Sequence, residues 1–321
     1  MCDEEDGTVR NFDSLLKLVA GHPPCRLAVA VAQDHTVLEA VKDAEERGLI
    51  HPLLVGDREE IHEAAERAGY AVREETIVHE HEPVKAALHA VSLASSGNAD
   101  MVMKGYVHTD DFLRAVLNKE HGLRTGSIMS HVFIAENRPL DRLVFIADGA
   151  MNIAPTLEQK AAIMLNTVHL ANAFGIMRPK VAVMAAVELV NPLMPATLDA
   201  AALAQMSRRR QLSVDCIVDG PFALDNAVSE LAARHKKITG DVAGRADILL
   251  VPNIEAGNML AKALVYLGGC RRAGLLVGAR VPVVLTSRAD TAQSKLLSIA
   301  SAVFTINLQR TLWLKVGRVH F

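Results

Sequence analysis

The residues with chemistry to offer come in short polar segments that follow apolar runs. Lys104-Gly105-Tyr106-Val107-His108-Thr109 supplies an ammonium, a residue without a side chain, and a hydroxyl at the mouth of an expected helix. A helix start with free N–H groups favours an anion, and glycine lets the backbone approach it closely. Gly122-Leu123-Arg124-Thr125-Gly126 leads into Ser130-His131. Arg124 can grip two oxygens of a phosphate, with Thr125 and Ser130 adding hydroxyl bonds. Ser130 and His131 are neighbours in an expected strand, so they face opposite ways and their spacing alone makes no nucleophile–base pair. Carboxylates and glycines recur at strand ends in Asp148-Gly149-Ala150-Met151-Asn152 and in Asp219-Gly220-Pro221 with Asp225-Asn226. The last two segments are Asn253-Ile254-Glu255-Ala256-Gly257-Asn258 and Thr286-Ser287-Arg288-Ala289-Asp290. Singly, each is better explained as a turn or a cap, or as a surface ion pair between Arg288 and Asp290. Together they set Lys, Arg, Ser, Thr, Asp and Asn at successive strand ends, the pattern of one cleft for an anionic small molecule.

Other chemistries find little support. No GxxxxGK[ST], no GxGxxG after a strand and no GxSxG occurs in the sequence, which removes the main signals for nucleotide binding and for a serine hydrolase elbow. His79-Glu80-His81-Glu82 lacks the HExxH spacing and reads as an exposed loop, so no metal site is expected. Cys2, Cys25, Cys216 and Cys270 include no CxxC pair, so neither zinc nor a redox dithiol is signalled.

The elements that must hold these segments alternate along the chain. Strands are expected at 27–32, 52–55, 76–78, 101–104, 130–135, 143–147, 180–186, 214–218, 247–251 and 281–285. Amphipathic helices are expected at 37–47, 59–68, 110–118, 157–174, 198–209, 227–235, 258–266 and 291–304, with another opened by Pro83 and closed by Gly97. Thr109 or Asp110 is the expected cap of the 110–118 helix. Such alternation implies mostly parallel sheets covered on both faces. The Pro-containing turn at 137–140 is the best boundary, giving a discontinuous first α/β domain (1–137 with 282–321) and a second one (138–281). The tail after Asn307, with the single tryptophan Trp313, is not assigned to either by its pattern.

Composition agrees with a folded α/β protein. Half of the 321 residues are hydrophobic, 22% are charged and only 4% are aromatic, which excludes disorder and suits helices layered on buried sheets. The net charge of −3, from 34 basic and 37 acidic residues, argues against nucleic acid as a partner. The acidic start Met1-Cys2-Asp3-Glu4-Glu5-Asp6 is unlike a signal peptide, and no run of 18 apolar residues occurs, so no membrane association and a cytoplasmic location are expected.

At these segments the sequence resembles the phosphate acetyltransferase/phosphate butyryltransferase family. The resemblance covers residues 103–302 and rests on Lys104-Gly105 with Thr109, on 113–120 with Gly122-Leu123-Arg124-Thr125-Gly126, on Ser130-His131-Val132, on Asp219-Gly220-Pro221 with Asp225-Asn226, on 253–258 and on 285–290. The wording is closer to the butyryl-type branch. The resemblance implies a two-domain α/β/α fold like that of isocitrate and isopropylmalate dehydrogenases, a homodimer, and a site in the interdomain cleft. It also implies transfer of an acyl group between coenzyme A and inorganic phosphate in a ternary complex, with coenzyme A a substrate and no cofactor. Ser287 and Arg288 match the family's catalytic Ser-Arg pair, with Arg288 facing acyl-phosphate oxygens and Ser287 the thiol or carbonyl. Lys104, Gly105, Thr109, Arg124, Thr125, Ser130 and Asn258 form the substrate-binding set, with Arg114 a weaker candidate.

The chemistry needs such groups. A thiol of pKa about 8.5 is mostly protonated at neutral pH, so a base helps. Pre-placed donors stabilise the charge that develops on the carbonyl and phosphate. Acetyl-type members carry an Asp seven positions after the Ser; here that position is Ser294, so Asp290, the nearest carboxylate, joins Ser287 and Arg288 in the expected catalytic set as the candidate base, with the alternative that no carboxylate serves. Two rival readings follow: a non-catalytic binder of coenzyme A or phosphate, suggested by Ser294, and a metal-dependent hydroxy-acid dehydrogenase of the related fold. The latter would need Asp215, Asp219 and Asp247 to converge.

Overall fold

The computed structural model describes residues 8–137 and 141–312. Cys2 and Trp313 lie outside them, as does most of the 137–140 turn. The chain divides into two compact units, one of Ile128–Arg271 with residues 8–11, the other of Phe12–Ser127 and Arg272–Leu312.

The Phe12–Leu312 unit is built on six strands. These are β1 (Cys25–Ala30), β2 (Ile50–Gly56), β3 (Ile77–His79), β4 (Met101–Lys104), β10 (Arg272–Val277) and β11 (Val283–Val284). Their order is β3-β2-β1-β4-β11-β10. All neighbours are parallel except β10 and β11. The helices are α1 (Phe12–Val19), α2 (His35–Glu46), α3 (Arg58–Ala68), α4 (Pro83–Ser95), α5 (Thr109–Val116) and α11 (Ala292–Leu312). Local chemistry sets their ends. Asp34 caps α2 by accepting from Val37 N at 2.9 Å, and Asp57 caps α3. Gly69 ends α3 in the left-handed region at φ +59°. The apolar face of α11, with Leu297, Ile299, Ala300 and Val303, is buried, and the helix contacts α1, α2 and β10.

The other unit has strands β5 (Ser130–Asn137), β6 (Arg142–Ala147), β7 (Lys180–Met184), β8 (Ile217–Phe222) and β9 (Ile248–Leu250), ordered β5-β6-β9-β7-β8. Only the β5–β6 hairpin is antiparallel. Its helices are α6 (Leu157–Ala173), α7 (Pro195–Arg208), α8 (Leu224–Val228), α9 (Glu230–His235) and α10 (Ile254–Tyr266). Thr156 and Gln159 form a capping box on α6. Phe133, Ile146, Phe222 and Leu249 lie in its core.

The expected alternation is present, with informative departures. β8 begins three residues later than the apolar run suggests, so Asp219-Gly220-Pro221 lies within the strand rather than after it. Pairing of Lys180, Val181 and Ala182 with Ile217, Val218 and Asp219 sets that register. The 227–235 helix is two short ones broken at Ser229. β10 and α1 carry no expectation: Arg272 and Gly274 interrupt the strand's apolar pattern, and α1 spans only 8 residues. No helix among the described residues is long and apolar enough to cross a membrane.

Candidate functional site

Three adjacent parallel strands, β1, β4 and β11, release their chains at one end of the Phe12–Leu312 unit's sheet. Ala30 is paired with Lys104, and Val284 with Met103. Residues 31–34, 104–109 and 285–290 therefore emerge side by side. After β1 the chain turns outward to β2, while β4 lies on β1's other flank. Such a reversal of strand order leaves a crevice beyond the carboxyl ends, where open α/β sheets bind ligands.

Gly105 makes the close approach there. Its N–H donates to Ala30 O at 2.8 Å, and Tyr106 N donates to Val31 O at 2.7 Å. A Cβ on Gly105 would press on Val31 O and lie 2.6 Å from Ala30 O. Both are backbone atoms of the neighbouring chain, so Gly105→Ala must push the β4 exit off β1. We expect a loss of about 1–3 kcal/mol in a urea unfolding experiment, the cost of overpacking a fitted site, together with lower turnover. A variant as stable as the wild type would mean that this turn yields freely.

Charged groups cluster at the same end. Lys104 is only 2% exposed, and its Nζ makes one hydrogen bond, to Gly105 O at 3.3 Å. Burial first, and then the cations Arg288 and Lys295, push its ammonium down to about 8, against the opposing pull of Asp290 and Asp34. The Arg288 guanidinium is exposed and stands 5.2 Å from the centre of the Tyr106 ring, a cation–π distance. Ser287 is exposed as well.

The loop carrying Ser287 and Arg288 is held from beneath. Asp290, 8% exposed, accepts from Ser287 N at 2.8 Å and pairs with the buried Arg272 at the start of β10. Lys295 on α11 donates to Asp290 O at 2.5 Å and to Ser287 O at 3.4 Å. Burial lowers the pKa of Lys295 below the ordinary lysine value. The Asp290 carboxylate is thus committed to the loop. Ser294 bonds to Thr291 at 3.2 Å.

Two expected neighbours lie elsewhere in this unit. Thr125 Oγ1 donates to Gly278 O at 2.8 Å, and Arg280 N donates to Leu123 O at 2.9 Å. Residues 278–280 precede β11, whereas Ser287 follows it, so the exposed Arg124-Thr125 segment is fixed at the opposite end of that strand. α5 carries the chain there, since Leu123 N bonds to Val116 O at its end. Thr109 is the first residue of α5; the cap position falls on His108, whose side chain makes no capping bond, and not on Thr109 or Asp110. Arg114 is exposed and paired with Asp111 at 2.9 Å.

A second constellation occupies the carboxyl ends of β6 and β9 in the Ile128–Arg271 unit, where Ala147 pairs with Leu250. The Asp148 carboxylate accepts from the N–H groups of His131, Ala150, Met151 and Asn152 and from Asn152 Nδ2. That arrangement fixes the 148–152 loop. Asn258, on the first turns of α10, donates to Gly149 O at 3.1 Å. Ser130 is fully buried, and its hydroxyl accepts from Asn166 at 3.1 Å. Among the described residues, no group of three or more His, Cys, Asp or Glu is arranged to hold a metal.

Sequence comparison places these residues in a known context. Residues 74–303 match the family described as phosphate acetyl/butaryl transferase. The phosphate butyryltransferase of Clostridium acetobutylicum is 52% identical over 294 residues, covering 92% of this chain and 97% of that protein. The phosphate acetyltransferase of Thermotoga maritima is 46% identical, covering 87% and 95%. Among solved structures, a branched-chain phosphotransacylase from Enterococcus faecalis V583 superposes with a TM-score of 0.78 at 33% identity, over 88% of this chain and 99% of that one.

Proposed function

The chain belongs to the phosphate acetyl/butyryl transferase family, and from that premise we propose that it interconverts a short-chain acyl-CoA and inorganic phosphate with acyl phosphate and coenzyme A. The observation that carries this reading is the convergence of Lys104, Gly105, Ser287 and Arg288 beyond the adjacent ends of β4 and β11. An exposed guanidinium and an exposed hydroxyl beside a buried ammonium suit a phosphate oxyanion and a polarised carbonyl.

In the forward direction a phosphate oxygen attacks the thioester carbonyl carbon. The carbonyl oxygen gains charge, the C–S bond breaks, and the sulfur leaves as a thiolate that takes a proton. Arg288 faces the oxygens of the incoming phosphate and Ser287 donates to the carbonyl oxygen or the departing sulfur. Holding both substrates at once supplies much of the acceleration by orientation alone. No cysteine lies in the Ser287–Asp290 loop, so direct transfer is favoured over an acyl-cysteine intermediate. The higher identity to the butyryl-type relative supports a preference for butyryl-CoA. A cytoplasmic homodimer completes the proposal.

The test is thiol release from acetyl-, propionyl- and butyryl-CoA with and without phosphate. Phosphate-dependent release, fastest with butyryl-CoA, is the expected result. Tight binding of coenzyme A with no turnover on any ester would replace this reading with that of a non-catalytic binder.

A further inference from the structure

We propose, resting on the acyl-transfer reading above, that Lys104 is the catalytic acid–base residue that exchanges a proton with the coenzyme A sulfur. In acyl phosphate formation the Lys104 ammonium gives a proton to the departing thiolate, and the resulting amine takes up the proton that hydrogen phosphate loses as it becomes the acyl phosphate. In the reverse direction the amine takes the thiol proton, the thiolate attacks the acyl phosphate carbonyl, and the ammonium passes that proton to the departing phosphate, which leaves as hydrogen phosphate. Proton and charge balance in both directions without any further reactant.

The geometry leaves this role to Lys104. Of the two carboxylates near it, Asp290 is bound by Arg272 and Ser287 N, and Asp34 caps α2. The position seven residues after Ser287 holds Ser294, which is no base at neutral pH and bonds to Thr291. Lys295 spends its ammonium on two backbone carbonyls. Lys104 alone in this cluster has a buried ammonium with a single weak partner, its own neighbour's carbonyl. It lies at the end of β4, next to the strand that leads into Ser287 and Arg288. The charged groups that face it are Asp34 before α2, Arg288 and Asp290 after β11, and Lys295 on α11. Their sum with burial brings the group to about 8, where both protonation states are populated near neutral pH and a proton can move either way at little cost.

The experiment measures kcat against pH for acyl phosphate formation from acyl-CoA and phosphate, a direction in which the substrate carries no free thiol. For the wild type, activity falls as pH rises through about 8, as the ammonium is lost. Lys104→Gln and Lys104→Arg are both expected to lose about 10²-fold or more in kcat and to lack that descending limb. Lys104→Arg is the decisive variant, because guanidinium keeps the charge but gives up no proton. Asp34→Asn should retain the limb and move it to lower pH, since Asp34 favours the charged amine. Melting curves and the KM for phosphate report whether the variants remain folded and bind. Lys104→Arg at near wild-type kcat would reduce Lys104 to an electrostatic anchor and overturn the proposal. Loss of the limb in folded Asp34→Asn would assign the proton to Asp34 instead. A wild-type protein without phosphate-dependent thiol release overturns the functional reading itself, a result distinct from either.

Discussion

Arg288→Ala is expected to lower kcat by about 10²–10³ while leaving the melting temperature almost unchanged. The two halves of this expectation have separate causes. Arg288 is exposed, has no carboxylate partner among the described residues, and lies over the Tyr106 ring. Its removal therefore opens no cavity and strands no buried charge, and surface changes of that kind stay within about 0.5 kcal/mol. The same freedom from a carboxylate is what makes the guanidinium available to an oxyanion. Loss of one pre-placed donor to developing charge typically costs about 10²–10³ in rate. Arg288→Lys should recover only part of the activity, because an ammonium cannot reproduce the planar two-point grip. Steady-state kinetics alongside thermal melts check both halves. A kcat within threefold of wild type in Arg288→Ala would remove Arg288 from the reacting centre.

What the sequence discloses of this site depends on whether the signal is local. Lys104-Gly105 and Ser287-Arg288 stand out because each follows an apolar strand directly, and strand ends are where α/β sheets carry ligands. That the two segments are neighbours follows only from the pairing of β4 with β11 across 180 residues of chain, which no short-range pattern contains. Arg124-Thr125 has the same local appearance as the other two, yet α5 delivers it to the other end of the sheet. Arg272 and Lys295 escape notice for the opposite reason. Each is a cation beside hydrophobic residues, one opening the strand Arg272–Val277 and one preceding Leu296 and Leu297 in α11. A charge in such a pattern is usually solvated at the surface. Here both are buried, and only the fold reveals that they hold one loop. The alternation of strands and helices, in contrast, is written in periodicity and caps, and it identifies the class of fold before any pairing is known.

The anchoring of that loop leads to the second large effect, on stability and turnover together. Arg272 and Asp290 have side chains only 5% and 6% exposed. Arg272→Met leaves the Asp290 carboxylate buried without its guanidinium, and Asp290→Leu does the converse. Breaking a buried pair from either side costs about 3–5 kcal/mol, so each single variant should unfold at markedly lower urea. Arg272→Met with Asp290→Leu removes both charges and replaces them with apolar side chains, which is often neutral or stabilising. Stability should then return to within about 1 kcal/mol of wild type, a coupling that a double-mutant cycle reads directly. Turnover should not return with it. Asp290 also accepts from Ser287 N at 2.8 Å, and leucine cannot, so Ser287 and Arg288 lose the bond that fixes their position relative to Lys104. Misplacement of about 1 Å at a reacting centre can cost 10²-fold in rate. A stable double variant with wild-type kcat would show that the ion pair serves only the fold. A stable but inactive one separates the two roles and leaves the Asp290 carboxylate as the residue that sets the loop.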